Sequence, residues 1–265
     1  MSNEWQAVHD VIRSGQRIVF FGGAGTSTES GIPDFRSANG IFAWKDMEFT
    51  PEQMLSRSFF DRYPALFYQF YVTKMLYPNA EPNLAHVALA KLEERGQLLA
   101  VITQNIDGLH QRAGSKRVLE LHGSVQRNYC MNCNQFYTLE ELLALSHVSS
   151  LDNTQEKLRT ESAADGQGEI PYCRQCNGVI KPDVVLYEES LNMDTLEQAV
   201  RAIEQADVLI VGGTSLTVQP AASLVQYYKG DRLIVINKST TSLDRSAAYT
   251  VNDSIAAVLG QLVTV

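Results

Sequence analysis

The sequence predicts a protein of the α/β class, in which a parallel sheet is covered by helices on both faces and a smaller domain is added. Short, compact apolar runs recur along the chain and are separated by helical stretches, as is typical of buried parallel strands. Four cysteines also occur as two Cys-x-x-Cys pairs. The apolar runs cover residues 17–21, 98–102, 208–211 and 233–236.

The predicted helices are recognised by the residues at their ends. Residues 4–14 predict a short amphipathic helix that ends at Gly15. Asn83 is placed to cap a second helix that continues to Glu94, and Gly96 closes it. The apolar face of this second helix is expected to contain Leu84, Val87, Ala88 and Leu92.

Two segments interrupt the alternation of strands and helices. Residues 38–78 are rich in aromatic side chains and are predicted to form a helical insertion. Residues 126–180 contain the cysteines, a helix predicted over 138–145 and a polar loop at 146–169. The predicted sheet domain therefore consists of residues 1–37, 79–125 and 181–265, and the two insertions form the small domain.

The cysteine pairs, Cys130 with Cys133 and Cys173 with Cys176, account for every cysteine in the chain. A Cys-x-x-Cys turn directs two thiolates at one ion, so two such turns complete a tetrahedral sulfur site for Zn²⁺. Two disulfides or a redox pair are the alternative interpretations. Since four thiolates leave no open coordination position, the zinc is expected to be structural. Free thiolates require a reducing compartment, which indicates a cytoplasmic protein.

Charge and hydropathy argue against some classes of partner. The net charge of −8 is unfavourable for broad, sequence-independent binding of nucleic acid. Residues 1–10 contain no apolar signal core, and no run of about 18 apolar residues is present to span a membrane. We therefore expect neither a nucleic acid nor a membrane as a direct partner, whereas a basic protein or peptide is compatible with the charge.

A glycine-rich loop at residues 22–31 follows the first predicted strand. Glycines in a strand-to-helix turn allow backbone N–H groups to approach a pyrophosphate at a helix N-terminus. A Rossmann-type fingerprint would have its third glycine where this chain has Thr28, so a tight turn without a ligand is an alternative. Beyond the loop, Pro33 excludes a regular helix. Phe35 could then cover a flat ring and Arg36 could contact phosphate, unless both belong to a plain surface loop.

Polar residues follow several predicted strands, at the ends where parallel sheets bind ligands. Helix capping is the alternative role for Asp107, and turn formation is the alternative for the others. The residues in these positions are Asn105 and Asp107 after the run at 98–102, Thr214 and Ser215 after the run at 208–211, and Asn237 after the run at 233–236.

One of the five histidines is a candidate general base. His122 follows the strand-like residues 118–121, and histidine titrates near neutral pH. A core or surface histidine is the alternative interpretation. His110 is expected to pack or orient the motif that contains it. The histidines that match no catalytic motif, and are assigned to structure, are His9, His86 and His147.

Together these motifs resemble the sirtuin family of NAD-dependent protein deacylases, in the family's order and over about residues 15–240. The resemblance implies a Rossmann-like NAD-binding domain and a smaller zinc-ribbon plus helical domain. The motifs are Gly23-Ala24-Gly25-Thr26-Ser27, Gly31-Ile32-Pro33-Asp34-Phe35-Arg36, Thr103-Gln104-Asn105-Ile106-Asp107-Gly108-Leu109-His110, Leu121-His122-Gly123, the doubled cysteine pairs, Lys181-Pro182-Asp183-Val184-Val185, Gly213-Thr214-Ser215-Leu216 and Ile236-Asn237.

The resemblance also implies roles for individual residues. His122 stands where the family has its catalytic base, and Asn105 holds a ribose or a water in the catalytic site. Asp107 would bind the nicotinamide carboxamide. The residues expected to contact NAD are Ala24, Gly25, Ser27, Thr28, Ile32, Phe35, Arg36, Gln104, Asn105, Ile106, Asp107, Thr214, Ser215 and Asn237, with Asp253 as a candidate at the adenine end.

Sirtuins bind the substrate peptide as an added strand, which implies main-chain pairing with little demand on peptide sequence. The matching residues on one side are Val184, Val185 and Tyr187, which are predicted to lie on one short strand after the zinc-binding segment, and those on the other side are Leu216 and Val218. The chain departs from the family's Phe-Gly-Glu pattern, since it has Tyr187-Glu188-Glu189. The absent glycine bears on the geometry of this segment, and the added acid suggests a preference for basic peptides.

The implied reaction transfers the acetyl group of acetyl-lysine to ADP-ribose and releases nicotinamide, with acetylated proteins or peptides as partners. Some members of the family select acidic acyl groups with a Tyr and an Arg three residues apart. No such pair occurs between Ala38 and Glu48, so acetyl or another short neutral group is expected. The alternatives are a mono-ADP-ribosyltransferase, a hydride-transferring dehydrogenase and a non-enzymatic zinc-ribbon adaptor.

Overall fold

The computed structural model describes residues 3–35, 40–41, 49–146 and 170–262. The chain forms two compact units. The first contains Met1–Asp34, Ala80–His122 and Leu191–Val265, and the second contains Phe35–Asn79 and Gly123–Ser190. Of the predicted segments, most of the polar loop at 146–169 and residues 38–39 and 42–48 of the helical insertion lie outside the described residues.

The strands are β1 (Ile18–Gly22), β2 (Leu98–Thr103), β3 (Val118–Glu120), β4 (Gly123–Cys130), β5 (Phe136–Thr138), β6 (Ile180–Val184), β7 (Val208–Gly212), β8 (Leu233–Ile236) and β9 (Tyr249–Val251). The helices are α1 (Asn3–Ser14), α2 (Pro51–Met54), α3 (Arg57–Arg62), α4 (Pro64–Lys74), α5 (Leu84–Glu94), α6 (Leu109–Arg112), α7 (Leu139–Leu145), α8 (Met193–Gln205) and α9 (Ile255–Gly260). Short 3-10 helices cover Ala24–Thr26, Thr28–Ser30 and Ala221–Tyr227.

The first unit is built on a six-stranded parallel sheet with the order β3-β2-β1-β7-β8-β9. This sheet confirms the predicted α/β class. β1 lies in the centre, pairs with β2 on one side and β7 on the other, and is buried along its whole length. Because the chain builds outward from β1 in both directions, the strand order reverses between β1 and β7. In open α/β sheets, ligands bind at the carboxyl ends of the strands beside such a reversal.

Apolar side chains are buried on both faces of this sheet. On one face, α1, α5 and α9 pack over a cluster that includes Ile18, Phe20 and Ile210. Val19 and Phe21 alternate with these residues along β1 and are equally inaccessible, and α8 contacts β2 and β3. Fully buried parallel strands of this kind read as continuous apolar runs, which explains why the sequence pattern located them.

The helix predicted after Asn83 is confirmed, and Ala88 and Leu92 of its predicted face are buried, whereas Leu84 is not. Asn83 accepts a hydrogen bond from Ala85 N and forms a capping box with His86. Leu84 is 51% exposed. The helical spacing fits two stripes that differ by one residue, and burial of His86 at the first turn selects the other stripe. The buried face consists of Ala85, His86, Ala88, Leu89 and Leu92.

The second unit contains a three-stranded antiparallel sheet with the order β5-β4-β6. β6 pairs with β4, so that Ile180 lies opposite Cys130. This pairing places residues 181–190 in the same unit as the cysteines. The helix predicted over 138–145 is confirmed as α7, which Thr138 caps through a capping box with Glu141.

Helices α2, α3 and α4 supply an aromatic cluster to the second unit. Phe60 and Phe67 meet edge to face with ring centroids 4.9 Å apart, and Phe67 stacks on Tyr71. The hydroxyl of Tyr68 donates to Ile180 O, which ties the cluster to β6. The helical character predicted for the aromatic segment is therefore confirmed where it is described. None of the helices in the described part of the chain combines the length and the apolar character that a membrane crossing requires.

Candidate active site

The glycine-rich loop forms two successive 3-10 turns after β1. The loop lies against the turn that follows β7, because Gly25 N donates to Gly213 O at 2.8 Å. A Cβ atom on Gly213 would lie 2.4 Å from Thr26 N, and Gly213 has a φ of 60°. Glycine at this position therefore allows the loops after β1 and β7 to meet at the carboxyl edge of the sheet.

A polar cluster joins the loop after β1 to the loop after β2. The Ser27 hydroxyl donates to Asp107 Oδ2 at 2.7 Å, and Asn105 Nδ2 donates to Ser27 Oγ at 3.0 Å. Asp107 Oδ1 accepts from Leu109 N at 2.9 Å. Asp107 thus caps α6, as the alternative interpretation proposed, and also faces the glycine-rich loop. Three residues that the sequence nominated separately are brought together here.

The environment of Asp107 acts on its charge in two opposite directions. Desolvation raises the pKa of Asp107, while hydrogen bonds from Leu109 N, Ser27 and Asn105 lower it, and desolvation is the larger effect. A carboxylate that is partly withdrawn from water but held by fixed donors is a strong acceptor for a further N–H group. The site is therefore suited to a ligand that carries an amide.

His122 follows β3 and is oriented by the end of β2. Its Nδ1 lies 3.0 Å from Gln104 O. Since a carbonyl oxygen only accepts, Nδ1 carries the hydrogen and Nε2 is left with a free lone pair. Burial lowers the pKa of His122, and the bond to Gln104 O partly opposes this shift. The imidazole is thus held neutral, in the tautomer that a general base requires.

Gln104, which follows β2, is bonded to residues at the ends of three other strands, β1, β3 and β7. Its side chain donates to Thr214 Oγ1 at 3.0 Å, and its backbone N–H donates to Gly22 O at 3.0 Å. Thr214 Oγ1 also accepts from Leu216 N at 3.2 Å. The loops after β1, β2, β3 and β7 are therefore linked through one residue, which places His122 and the Ser27–Asp107 pair on the same edge of the sheet.

Glycine is also required directly after His122. Gly123 has a φ of 75°, and a Cβ atom there would lie 1.8 Å from Asp183 O. Any side chain would force β4 away from β6. Gly123 therefore allows the chain to pass from His122 straight into the strand that leads to the first cysteine pair.

Other predicted cofactor residues occupy loops at the carboxyl ends of the strands but have partners outside the cluster. Ser215 Oγ lies 2.9 Å from Thr217 Oγ1, and Asn237 Nδ2 donates to Ser239 O at 2.8 Å. Asp253 follows β9 and accepts from Ser254 N at 2.7 Å. The remaining predicted residues Ala24, Gly25, Thr28, Ile32 and Ile106 lie in the loops after β1 and β2, Phe35 begins the second unit, and Arg36 lies outside the described residues.

The sequence did not nominate three residues that support the cluster. His86 is fully buried, with Nε2 3.5 Å from Ser27 Oγ, and burial lowers its pKa to about 4. Asn83 Nδ2 donates to Thr26 O at 2.8 Å, and Thr103 Oγ1 accepts from Asn105 N at 3.0 Å. Asn83 was recognisable only as a helix cap, because its contact with the loop depends on how α5 packs.

The segment predicted to pair with a peptide is only partly a strand. β6 ends at Val184, and Val185 lies beyond it. Tyr187 instead pairs with the chain before α3: its N–H donates to Leu55 O, and its C=O accepts from Arg57 N, both at 2.9 Å. The single short strand predicted through Val184, Val185 and Tyr187 is therefore wrong. On the first unit, Leu216 is buried and has a φ of 54°, while Val218 begins the turn toward the third 3-10 helix.

Glu188 occupies the position where the family pattern has glycine, and it adopts a left-handed backbone with a φ of 75°. This conformation costs a non-glycine residue about 1–2 kcal/mol. The Glu188 carboxylate accepts from Ser58 N and from Ser58 Oγ, both at 2.9 Å. The backbone geometry is thus one that glycine also adopts, and the acid suggested to favour basic peptides is bonded to α3.

The four cysteines converge as the sequence predicted. Their sulfur atoms all lie within 4.8 Å of one another, with 3.4 Å between Cys130 and Cys176 and 3.6 Å between Cys133 and Cys173. All four are free. These separations are too long for disulfides, whose sulfurs lie about 2.05 Å apart. They fit the edge of a sulfur tetrahedron around zinc, where each Zn–S bond is about 2.3 Å.

The two cysteine turns have the same construction. Each ends in an asparagine with a left-handed backbone, Asn134 with a φ of 58° and Asn177 with a φ of 57°. Each asparagine N–H donates to the carbonyl of the first cysteine of its turn at 2.9 Å. The Tyr137 hydroxyl donates to Cys173 Sγ at 3.2 Å. The sulfurs are therefore positioned by the turns and by an outer donor, as in a structural zinc site.

The sheet and its edge define an enzyme that binds a dinucleotide, and the closed sulfur set adds a structural zinc. The model of the Sir2 family matches residues 23–220, and the chain belongs to this family. It functions as an NAD-dependent protein deacetylase, with NAD as its cofactor and zinc in a structural role.

The chain is 52% identical over 265 residues to the NAD-dependent protein deacetylase of Clostridium perfringens, covering 99% of this chain and 100% of that protein. A structure of Sir2 bound to acetylated peptide is 35% identical, with a TM-score of 0.79 and coverage of 98% of this chain and 97% of the other. A second Sir2 structure holds a deacetylated p53 peptide and 3′-O-acetyl ADP-ribose; it is 37% identical, with a TM-score of 0.81 and coverage of 98% and 97%.

Proposed function

We propose that this chain deacetylates lysine side chains of proteins, with His122 as the general base and the Ser27–Asn105–Asp107 cluster as the nicotinamide site. The observation that carries this proposal is the arrangement of His122, whose Nε2 is free because Nδ1 is bonded to Gln104 O at 3.0 Å. The comparison with acetyl-peptide complexes supports acyl-lysine as the substrate class.

The nicotinamide amide fits the cluster by its chemistry. Its N–H group would donate to the Asp107 carboxylate, which Ser27 and Leu109 N hold in place. Asn105 is 9% exposed and is fixed by Ser27 and Thr103, so it would orient a ribose hydroxyl or a water beside the reacting carbon. Ala24, Ile32, Phe35 and Ile106 would supply the apolar walls of this pocket.

The rest of the dinucleotide would follow the carboxyl edge of the sheet, where the strand order reverses. Gly25, in the loop after β1, is proposed to lie beside the pyrophosphate, and Asn237, which follows β8, is proposed to contact the adenosine ribose. The other proposed contacts are Thr28, Arg36, Gln104, Thr214, Ser215 and, at the adenine end, Asp253.

Bound NAD would supply an electrophilic ribose carbon, with nicotinamide as its leaving group. His122 would accept at Nε2 the proton of a ribose hydroxyl, whose oxygen would take over the acyl group as the lysine amine leaves with a proton. Gln104 O accepts from Nδ1–H throughout and stabilises the imidazolium that forms. The cluster around Asp107 holds the leaving amide, so that the reacting groups are positioned before chemistry begins.

The residues proposed to bind the peptide by main-chain pairing are Val184, Val185, Tyr187, Leu216 and Val218. Acetyl or another short neutral group is the proposed acyl substrate. The free thiolates of the zinc site favour a reducing compartment, which supports a cytoplasmic location, with neither a nucleic acid nor a membrane as a direct partner.

The test of this function is an assay with an acetyl-lysine peptide and NAD, with the products identified by mass. Free lysine, nicotinamide and acetyl-ADP-ribose are expected in equal amounts. ADP-ribose attached to protein, without loss of acetyl, would instead indicate a mono-ADP-ribosyltransferase. Reduced-cofactor absorbance would indicate a dehydrogenase, and failure to bind NAD would indicate a zinc-ribbon adaptor.

Asp107→Asn is expected to weaken inhibition by nicotinamide and turnover of NAD more than it weakens peptide binding. The substitution removes the charge that accepts the amide and leaves a donor facing Ser27, at a cost of roughly tenfold in nicotinamide inhibition. Asp10→Asn, on the exposed face of α1, is the matched control. An unchanged inhibition constant for nicotinamide would show that Asp107 does not contact the amide.

The pH profile should follow the lowered pKa of His122. The base must be neutral to act, and burial extends its neutral form to a pH below the usual pKa of about 6.5. We therefore expect kcat/KM for the peptide to stay level through neutral pH and to fall only on the acid side of 6.5. A fall that begins above pH 7 would contradict the proposed environment of His122.

A further inference from the structure

Three charged residues, Arg57, Lys181 and Glu189, form a cluster beside residues 184–188. Lys181 Nζ lies 3.1 Å from Glu189 Oε2, and Arg57 Nη1 lies 3.0 Å from Glu189 Oε1. The side chains of Lys181 and Glu189 are 15% and 18% exposed. Arg57 also forms an ion pair with Asp61 in α3. The Glu189 carboxylate is therefore shared by a cation at the start of β6 and a cation on α3.

The charge of Glu189 is maintained by these contacts. Burial alone would raise the pKa of Glu189, but the hydrogen bond from Leu186 N and the cations Lys181 and Arg57 outweigh it and hold the pKa below its usual range. Removing one partner of such a shielded ion pair destabilises the protein, because the other charge is then left buried without compensation. The cluster should therefore act as one rigid unit.

The same cluster fixes the backbone between Pro182 and Glu189. Lys181 Nζ donates to Pro182 O at 3.2 Å and to Val184 O at 2.9 Å. Glu189 Oε2 accepts from Leu186 N at 2.9 Å, and Glu189 N donates back to Leu186 O at 3.0 Å. The hydrogen bonds on both sides of Val185 thus come from one ion pair. The backbone hydrogen bonds of Tyr187 to the chain before α3 fix the residues that follow.

We propose that Glu189 is a positioning residue for substrate binding. Together with Lys181, it holds the backbone of residues 184–187 in a conformation with which a peptide strand can pair. The inference rests on the proposed function, in which this segment binds the acetylated peptide. Glu189 need not touch the substrate. Its effect is transmitted through Leu186 N, and through Val184 O by way of Lys181.

The first test is Glu189→Gln, assayed for KM of an acetyl-lysine peptide and KM of NAD. The substitution keeps the shape of the side chain but replaces one acceptor oxygen with a donor that faces Leu186 N, Lys181 or Arg57. We expect the peptide KM to rise by about tenfold and the NAD KM to stay unchanged. Partial unfolding alone would lower the amount of active enzyme and leave both KM values in place.

Glu197→Gln is the matched control, because Glu197 also pairs with an arginine but on the exposed surface of α8. It should leave the peptide KM and the NAD KM as in the unmodified protein. A peptide KM that is unchanged in Glu189→Gln as well would overturn the inference.

A second variant covers the case in which Glu189→Gln fails to fold. The double replacement Lys181→Met with Glu189→Met removes both charges together, which often leaves stability intact. It also removes the bonds to Val184 O and Leu186 N. Binding of a fluorescent acetyl-lysine peptide, measured by anisotropy, should weaken by about tenfold even though the urea midpoint recovers. Recovery of affinity together with stability would show that the pair acts only through the fold, and would defeat the inference.

The proposed function and this inference fail in different ways. If the unmodified protein does not bind or deacetylate the acetyl-lysine peptide, the proposed function is wrong. If the unmodified protein binds it and the Met–Met variant binds it equally well, the proposed function stands and the positioning role of Glu189 is wrong.

Discussion

Replacing His122 with alanine is expected to reduce deacetylation by about a hundredfold or more while the protein stays folded. The imidazole makes one hydrogen bond, to Gln104 O, and is only half-buried, so its removal leaves no large cavity. The reaction loses the group that accepts the ribose proton. The rate is measured with saturating NAD and acetyl-lysine peptide, and the fold is followed by circular dichroism and thermal unfolding.

His147→Ala is the control for this substitution, since no catalytic motif assigns a role to that histidine. It should retain the rate of the unmodified protein. Release of nicotinamide measured separately from loss of acetyl would locate the defect, because His122 is proposed to act after nicotinamide departs. A His122→Ala protein with more than about a tenth of the original rate would contradict the base role.

Replacing Cys173 with serine is expected to abolish stoichiometric zinc and to unfold the zinc-binding part of the chain. Zinc binding to structural sites is worth about 10–16 kcal/mol, which is comparable with the whole stability of a domain. Cys173 is buried, and its sulfur also accepts from Tyr137, so serine would leave that donor with a poorer partner. Zinc content by metal analysis and unfolding in urea are the measurements.

Arg174→Ser is the matched control, because Arg174 is exposed in the same turn and supplies no sulfur. It should retain one zinc per chain. A chelator should destabilise the unmodified protein and the control but have little further effect on Cys173→Ser. The structural role would be contradicted if zinc-free protein unfolded at the same urea concentration as zinc-containing protein, or if protein purified without chelator contained no zinc.

The sequence allowed the sheet to be predicted because its strands are buried on both faces and therefore appear as unbroken apolar runs. The cysteine turns were equally predictable, since ligand type and spacing determine the site. The face of α5 was predicted only in part: Ala88 and Leu92 are buried as expected, but Leu84 is exposed, because the helical spacing fits two stripes and the buried one includes His86. Contacts that depend on packing between distant segments leave no local pattern.

The arrangement of the candidate site could be predicted only in part. The polar residues predicted after the strands lie at one edge of the sheet, because parallel strands end on one edge, whereas their roles stay predictions. The direct bond between Ser27 and Asp107 was not predicted, and neither was the support from Asn83. The two 3-10 turns of the glycine-rich loop and its bond to Gly213 O were not predicted either, because they depend on how the loops after β1 and β7 pack.

The left-handed backbone at Glu188 limits which residues can follow Tyr187 in related chains. What the turn demands is a backbone angle, and glycine meets it without strain, whereas a longer residue needs an external anchor. Ser58 provides that anchor through its N–H and its hydroxyl. Positions 58 and 188 should therefore be inherited as a pair: an acid at 188 is tolerated where a hydroxyl stands at 58, and β-branched residues are excluded whatever stands there. A sequence pattern that requires glycine at this position would miss chains in which an acid at 188, bound by a hydroxyl residue at 58, keeps the same backbone conformation.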